Sequence, residues 1–210
     1  MSKADRERAR HTRMFEQWLA WSKSRSPEDK ELQLLAYQFE DRHFADMTLT
    51  SPAVRRNLFH YEIEGDAGGS QAVEGDGPFL DLCSKRWILR VRTLPEGVSG
   101  QCHYRRHTIS VRRGLDAVEH KATLLHEMIH AYESQLSEPV REWLLLDAHK
   151  RMAKRIKPAA LRRYINASTH SLFHDHGHAI LFMLKSLELD LRFGWDLGTV
   201  FGYGRKDLFA

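Results

Sequence analysis

The chain has 210 residues, 42% of them hydrophobic and 29% charged, with a formal net charge of +4 and a pI near 9.1. These are the values of a globular protein long enough to bury a core without disulfide staples, and no run approaches the ~20 apolar residues of a membrane span. Only two cysteines, Cys83 and Cys102, and a Met1–Arg8 start without an apolar signal-peptide core argue against a secreted protein and for an intracellular one, in nucleus or cytoplasm.

The first sixty residues read as helices. Residues 4–23 place Met14, Phe15, Trp18, Leu19 and Trp21 at partly helical spacing behind a basic stretch. Ser26-Pro27-Glu28-Asp29 is a helix start, with Ser at the N-cap, Pro at the first helical position and acids after it. That helix runs through Leu32, Leu35, Tyr37 and Phe39 toward Phe44, and Ser51-Pro52 repeats the signal for a third, shorter one. Residues 65–78 hold five glycines and a Pro, which support neither helix nor central strand. They form a flexible loop.

Strand patterns follow. From Trp87, Leu89, Val91 and Thr93 alternate with Arg90 and Arg92, then Pro95-Glu96-Gly97 turns the chain. Residues 106–111 alternate again through Ile109 and Val111, while Cys102 reads as a buried strand residue rather than a nucleophile. The expectation is a small antiparallel sheet leading into the next helix, an α+β layout of one domain over 1–210. The Ile109–Val111 strand is expected to line the cleft and pair with an extended substrate.

Asp116 and Glu119 mark the start of that helix as N-cap and capping-box partner. No Gly or Pro interrupts it up to about Gln135, and Val118, Ala122, Leu125, Ile129 and Tyr132 recur at helical spacing. It contains His126-Glu127-Met128-Ile129-His130. Residues four apart share a helix face, so two imidazoles there can grip one metal ion. Zinc lowers the pKa of a water it holds, and Glu127 stands where it can take that proton as general base. With 13 His in the chain, the pattern arises by chance in about one such sequence in twenty. The capped, uninterrupted helix is therefore what gives it weight. A catalytic zinc needs a third protein ligand. The choice lies in His174-Asp175-His176-Gly177-His178, ahead of an apolar helical run from Ala179 to Leu187. Glu133 is a strained rival on the same helix as the first two ligands.

Between these segments, Glu138-Pro139-Val140 opens another helix through Trp143 and Leu145. From Lys150 to Arg163 no acid occurs. Lys150, Arg151, Lys154 and Arg155 are candidate phosphate contacts on DNA, with a solvated helix face as the alternative.

The segment Thr123-Leu124-Leu125-His126-Glu127-Met128-Ile129-His130-Ala131-Tyr132 resembles the core signature of the SprT-like metalloproteases, the family of DNA–protein crosslink repair proteases. Gly100-Gln101-Cys102-His103-Tyr104 resembles its Gly-x-Cys segment, Thr108–Val111 its strand before the metal helix, Trp87 its preceding Trp, and His176-Gly177 its His-Gly pair. The resemblance covers about residues 85–190, with an insertion at about 137–172 and without the Cys-rich ribbon often attached to this family. It implies a zincin-like fold with a metal-binding helix and a following ligand-bearing helix. It implies one Zn2+ per chain on His126, His130 and His176, with Glu127 as catalytic base. By their places before the turn and at the start of the apolar run, His174 and His178 read as orienting residues or alternative ligands. The implied activity is that of a zinc endopeptidase on DNA-associated proteins. A DNA-binding module with a structural or vestigial zinc, and a zinc hydrolase of small peptides or amides, are the alternatives. The sequence leaves the oligomeric state open.

Overall fold

A computed structural model describes residues 2–44, 87–134, 136, 138–154, 178 and 180–202. The third N-terminal helix expected at Ser51-Pro52, the Gly-rich loop and most of the insertion lie outside them. The described chain is a mixed α+β arrangement of α1 (Lys3–Ser24), α2 (Pro27–His43), β1 (Ile88–Arg92), β2 (Gly100–His103), β3 (Thr108–Arg112), α3 (Ala117–Glu133), α4 (Glu138–Ala153) and α5 (Ile180–Phe193). Among the described residues, no helix is long and apolar enough to cross a membrane.

The helices begin where local chemistry supplies acceptors for their first N–H groups. Ser26 caps α2 by accepting from Asp29 N at 3.1 Å. Asp116 accepts from Val118 N and Glu119 N at 2.8 and 2.9 Å, and the Glu119 carboxylate returns to Asp116 N, completing the capping box of α3. Both starts fall where the sequence placed them.

The sheet differs from the expectation in two ways. Its order is β1-β3-β2, with β1 parallel and β2 antiparallel to β3, so it is mixed rather than antiparallel. The strand holding Ile109 and Val111 is the central one. Its backbone groups are taken up on both sides, and it cannot accept an extended substrate. The free edges among the described strands are β1 and β2. The cause is the connection from β1 through the Pro95-Glu96-Gly97 turn, which crosses over the place that β3 later fills. Arg112 secures that crossover by donating from its backbone N–H to Ser99 O at 2.8 Å and from Nε to Val98 O at 2.7 Å.

The inward row of the sheet, Leu89, Ile109 and Val111, is fully buried and pairs in register, Leu89 with Ile109 and Val91 with Val111. α3 packs against β2 and β3, α2 against β1, and α5 against α3 and α4. α3 is therefore enclosed on several sides. From Leu124 to Glu133 every residue is buried, not only the stripe that the periodicity marks. Val118, one member of that stripe, is instead about half exposed and lines a cleft beside His126 and Glu127.

α5 is apolar with polar exceptions, and each exception has a role. Lys185, 1% exposed, donates to His43 O at 2.6 Å, and Arg192 donates to Arg42 O at 3.2 Å. Two cations thus satisfy carbonyls at the C-terminal end of α2, where the helix dipole is negative. Glu188 holds both of them, with Lys185 at 3.3 Å and Arg192 at 2.6 Å. His43, in the middle of this cluster, is lowered to about 4 by burial and by the charges of Arg192, Lys185 and Arg42. Tyr132 of α3 donates to Glu40 of α2, closing the contact on the other side.

The β1 edge is blunted by a side chain. Asp29 Oδ1 accepts from Val91 N at 2.8 Å across 62 residues of sequence. Asp29→Ala leaves a half-buried N–H without that acceptor, so unfolding in urea should lose about 1–3 kcal/mol. A change within a few tenths would mean that water serves Val91 equally well.

Candidate metal centre

His126, His130 and His178 converge at the heart of the molecule. One ring nitrogen of each lies within 4.8 Å of the other two, close enough to bind one metal ion. The ring centroids stand 5.0 Å (126–130), 5.1 Å (126–178) and 4.8 Å (130–178) apart. α3 supplies two of them because positions four apart face the same way. The third arrives just before α5, whose packing against α3 brings it within reach.

The nitrogen chemistry fits a dication. His126 Nε2 and His178 Nε2 are 3.2 Å apart, close to the roughly 3.3 Å edge of a tetrahedron with zinc–nitrogen bonds of about 2.0–2.1 Å. On its other side, His126 Nδ1 lies 2.9 Å from Val200 O. A carbonyl only accepts, so Nδ1 carries the hydrogen and Nε2 presents its lone pair to the other two rings. Burial lowers His126 to about 4 against the opposing pull of the Val200 and Phe201 backbone. It lowers His130 to about 2, helped by the neighbouring His126 and His178. At neutral pH both are uncharged and able to ligate.

Phe182, fully buried on the first turn of α5, backs the whole cluster. Its ring centroid is 4.7 Å from His126, 4.4 Å from His130 and 4.6 Å from His178. It covers one side of the three rings.

A cleft of about 370 Å³ opens beside His126 and Glu127. The approach to β2 (Gly97–Gly100) forms one wall, Val118, Ala122 and Thr123 of α3 another, and Thr199 and Val200 a third. Glu127 is 6% exposed, and burial raises its carboxyl to about 8. Gly100 is the reason β2 can lie so near. A Cβ there would meet Glu127 Oε1 at 2.5 Å and Thr123 Cγ2 at 2.6 Å, closer than atoms tolerate. Cys102, two residues on, is half-buried, and burial with the adjacent Glu127 raises its thiol pKa, which keeps it a neutral strand residue.

The structure therefore unites His126, Glu127 and His130 with His178, the alternative ligand of the sequence reading. His174 and His176 lie outside the described residues. Glu133 is buried at the end of α3 and is not part of the cluster. Of the candidate phosphate contacts, Lys150 and Lys154 are exposed. Arg151 is turned to structure by pairing with Asp147 on its own helix and with Glu188 of α5 at 3.4 Å. Arg155 lies outside the described residues. Sequence reasoning missed the parts played by Phe182, Gly100 and the Val200 carbonyl. No pattern marks a carbonyl as a partner, and Phe182 was hidden inside an apolar run.

Comparison with family models, curated proteins and solved structures finds no match for this chain.

The structure groups His178 with His126 and His130 and describes neither His174 nor His176. His178→Ala should empty the metal site as fully as His130→Ala after dialysis against a weak chelator, with a smaller loss in His176→Ala. The reverse pattern, measured as metal per chain, would place His176 in the site, as the resemblance implies.

Proposed function

We propose that the chain is a zinc-dependent endopeptidase of the His-Glu-x-x-His class. The observation that carries this reading is the meeting of three imidazoles beside a buried carboxyl, Glu127, which lines a cleft together with His126. A purely structural zinc is closed by four protein ligands and needs no neighbouring base. Among the described residues three histidines converge and Glu127 borders an open cleft, which favours chemistry over scaffolding.

Zinc held by these histidines supplies Lewis acidity for the scissile carbonyl and acidifies a water. The remaining work falls to the chain. Glu127 takes the proton of the attacking water and delivers it to the leaving amine. Val200 O holds His126 in the ligating tautomer. Phe182 lays an apolar ring along one side of the centre, and apolar surroundings strengthen its electrostatics. Tyr104, about half exposed with its ring edge-on to His130 at 6.2 Å, stands beside the same histidine.

An extended peptide fits the cleft by adding to the free edge of β2, which Gly100 holds against Glu127. The apolar lining from Val98, Val118, Ala122 and Val200 suits an apolar side chain next to the scissile bond. The family resemblance supports DNA-associated proteins as the substrate class, and the basic pI is compatible with it. Lys150 and Lys154 are the exposed candidate phosphate contacts among the described residues, with Arg151 engaged by carboxylates.

The test is a matched pair of measurements. Glu127→Gln keeps shape and loses the base. It should retain about one zinc per chain while cleavage of casein or histones falls by roughly 10²-fold or more. Single-stranded DNA should stimulate the wild-type reaction. Unchanged cleavage in Glu127→Gln refutes the role of Glu127, and zinc binding without cleavage under any condition returns the protein to a DNA-binding module with a vestigial site. Cleavage of short peptides alone, indifferent to DNA, makes it a small-substrate hydrolase.

A further inference from the structure

Val200 O is a backbone atom in a turn, and a ligand's tautomer is only as secure as that turn. The turn follows α5 and bonds within itself, Thr199 N and Oγ1 to Asp196 O at 3.1 and 2.6 Å and Gly202 N to Gly198 O at 2.9 Å. What ties its 198–200 segment back to α5 is the Asp190 carboxylate. Oδ2 accepts from Gly198 N at 2.7 Å and Oδ1 from Val200 N at 2.9 Å, and the Thr199 backbone adds a further bond. The fit requires Gly198 in the left-handed region, at φ 94°, where glycine carries no steric penalty.

Asp190 is 0% exposed. An ionised carboxylate in such a place loses its hydration and persists only when hydrogen bonds replace it. Its partners are the turn's own N–H groups. A leucine at this point of an apolar helix would serve the core better. The acid thus has a function that packing does not explain, and the turn it fastens reaches two features at once. Val200 O meets His126 Nδ1, and Thr199 and Val200 form the third wall of the cleft.

We propose that Asp190 is the positioning residue of the metal centre, acting through the 198–200 turn to hold His126 as its Nδ1–H tautomer with Nε2 directed at the metal. This deepens the metal-centre reading and rests on it for the consequence in metal affinity. The tautomer itself is a property of the metal-free chain.

The experiment has two readouts. In metal-free wild-type protein, nitrogen-15 NMR of the histidine rings should give His126 a protonated Nδ1 and an unprotonated Nε2. An Nε2–H tautomer there overturns the proposal without any variant. Asp190→Asn keeps the size, removes the charge and turns an amide N–H₂ toward one of the N–H donors. It should give His126 a mixed tautomer and weaken zinc binding, measured by chelator competition, by about 10–100-fold, the usual effect of losing an outer partner of a ligand. Asp190→Glu, which keeps the charge, should retain more of the Nδ1–H form than Asp190→Asn. A lowered melting temperature with His126 tautomer and zinc affinity both unchanged would make Asp190 a merely structural residue and overturn the proposal. Wild-type protein that binds no zinc at all would defeat the metal-centre reading, while the tautomer comparison would still decide for or against Asp190.

Discussion

Burying His126, Glu127 and His130 on one turn of an enclosed helix is the constraint on which the rest of this structure depends. Imidazoles and a carboxylate taken out of water lose hydration, and the interior must either neutralise them or give them partners. Both responses are visible. The histidines are lowered far below neutrality and remain uncharged, and Glu127 is raised to about 8. A dication, if bound among the three rings, would turn that burial to use, since neutral imidazoles are what it binds and its charge would favour the ionised form of Glu127.

Around that centre the fold is arranged in two tiers. The nearer tier consists of groups in contact with the rings: Phe182 behind them, Val200 O beside His126 and Gly100 across from Glu127. The farther tier is the polar side of α5. Lys185, Glu188 and Arg192 bind α5 to the end of α2, while Asp190, on the same helix, fastens the turn that carries Val200. One helix therefore provides the backing of the metal centre, the clamp on its neighbour and the fastening of the wall opposite β2. This accounts for the buried charges in an otherwise apolar segment, where each would be destabilising without its partners.

The sheet contributes by its edge. β3 is enclosed by β1 and β2, so Ile109 and Val111 serve the core. β2 is left with an unpaired edge among the described strands, alongside the cleft. Asp29 covers part of the opposite edge through Val91 N. Among the described strands the sheet is thus closed to pairing at one N–H of β1 and open beside the cleft that His126 and Glu127 line, a distribution consistent with the way proteins manage exposed strand edges.

Much of this was legible in the residues alone because it is local. The caps at Ser26 and Asp116, the uninterrupted α3, the alternation of β1 and the shared face of His126 and His130 follow from helix and strand periods that any sequence carries. Asp190 was visible too, as an acid inside an apolar helix, but nothing in the sequence says which N–H groups it meets. The meeting of His178 with His126 and His130, the insertion of β3 between β1 and β2, and the enclosure of α3 on several sides were decided by tertiary structure. Each depends on how segments far apart in the chain approach one another. His126 and Val200 are 74 residues apart. Periodicity sets which way a side chain faces along its own element, and only packing sets what it faces.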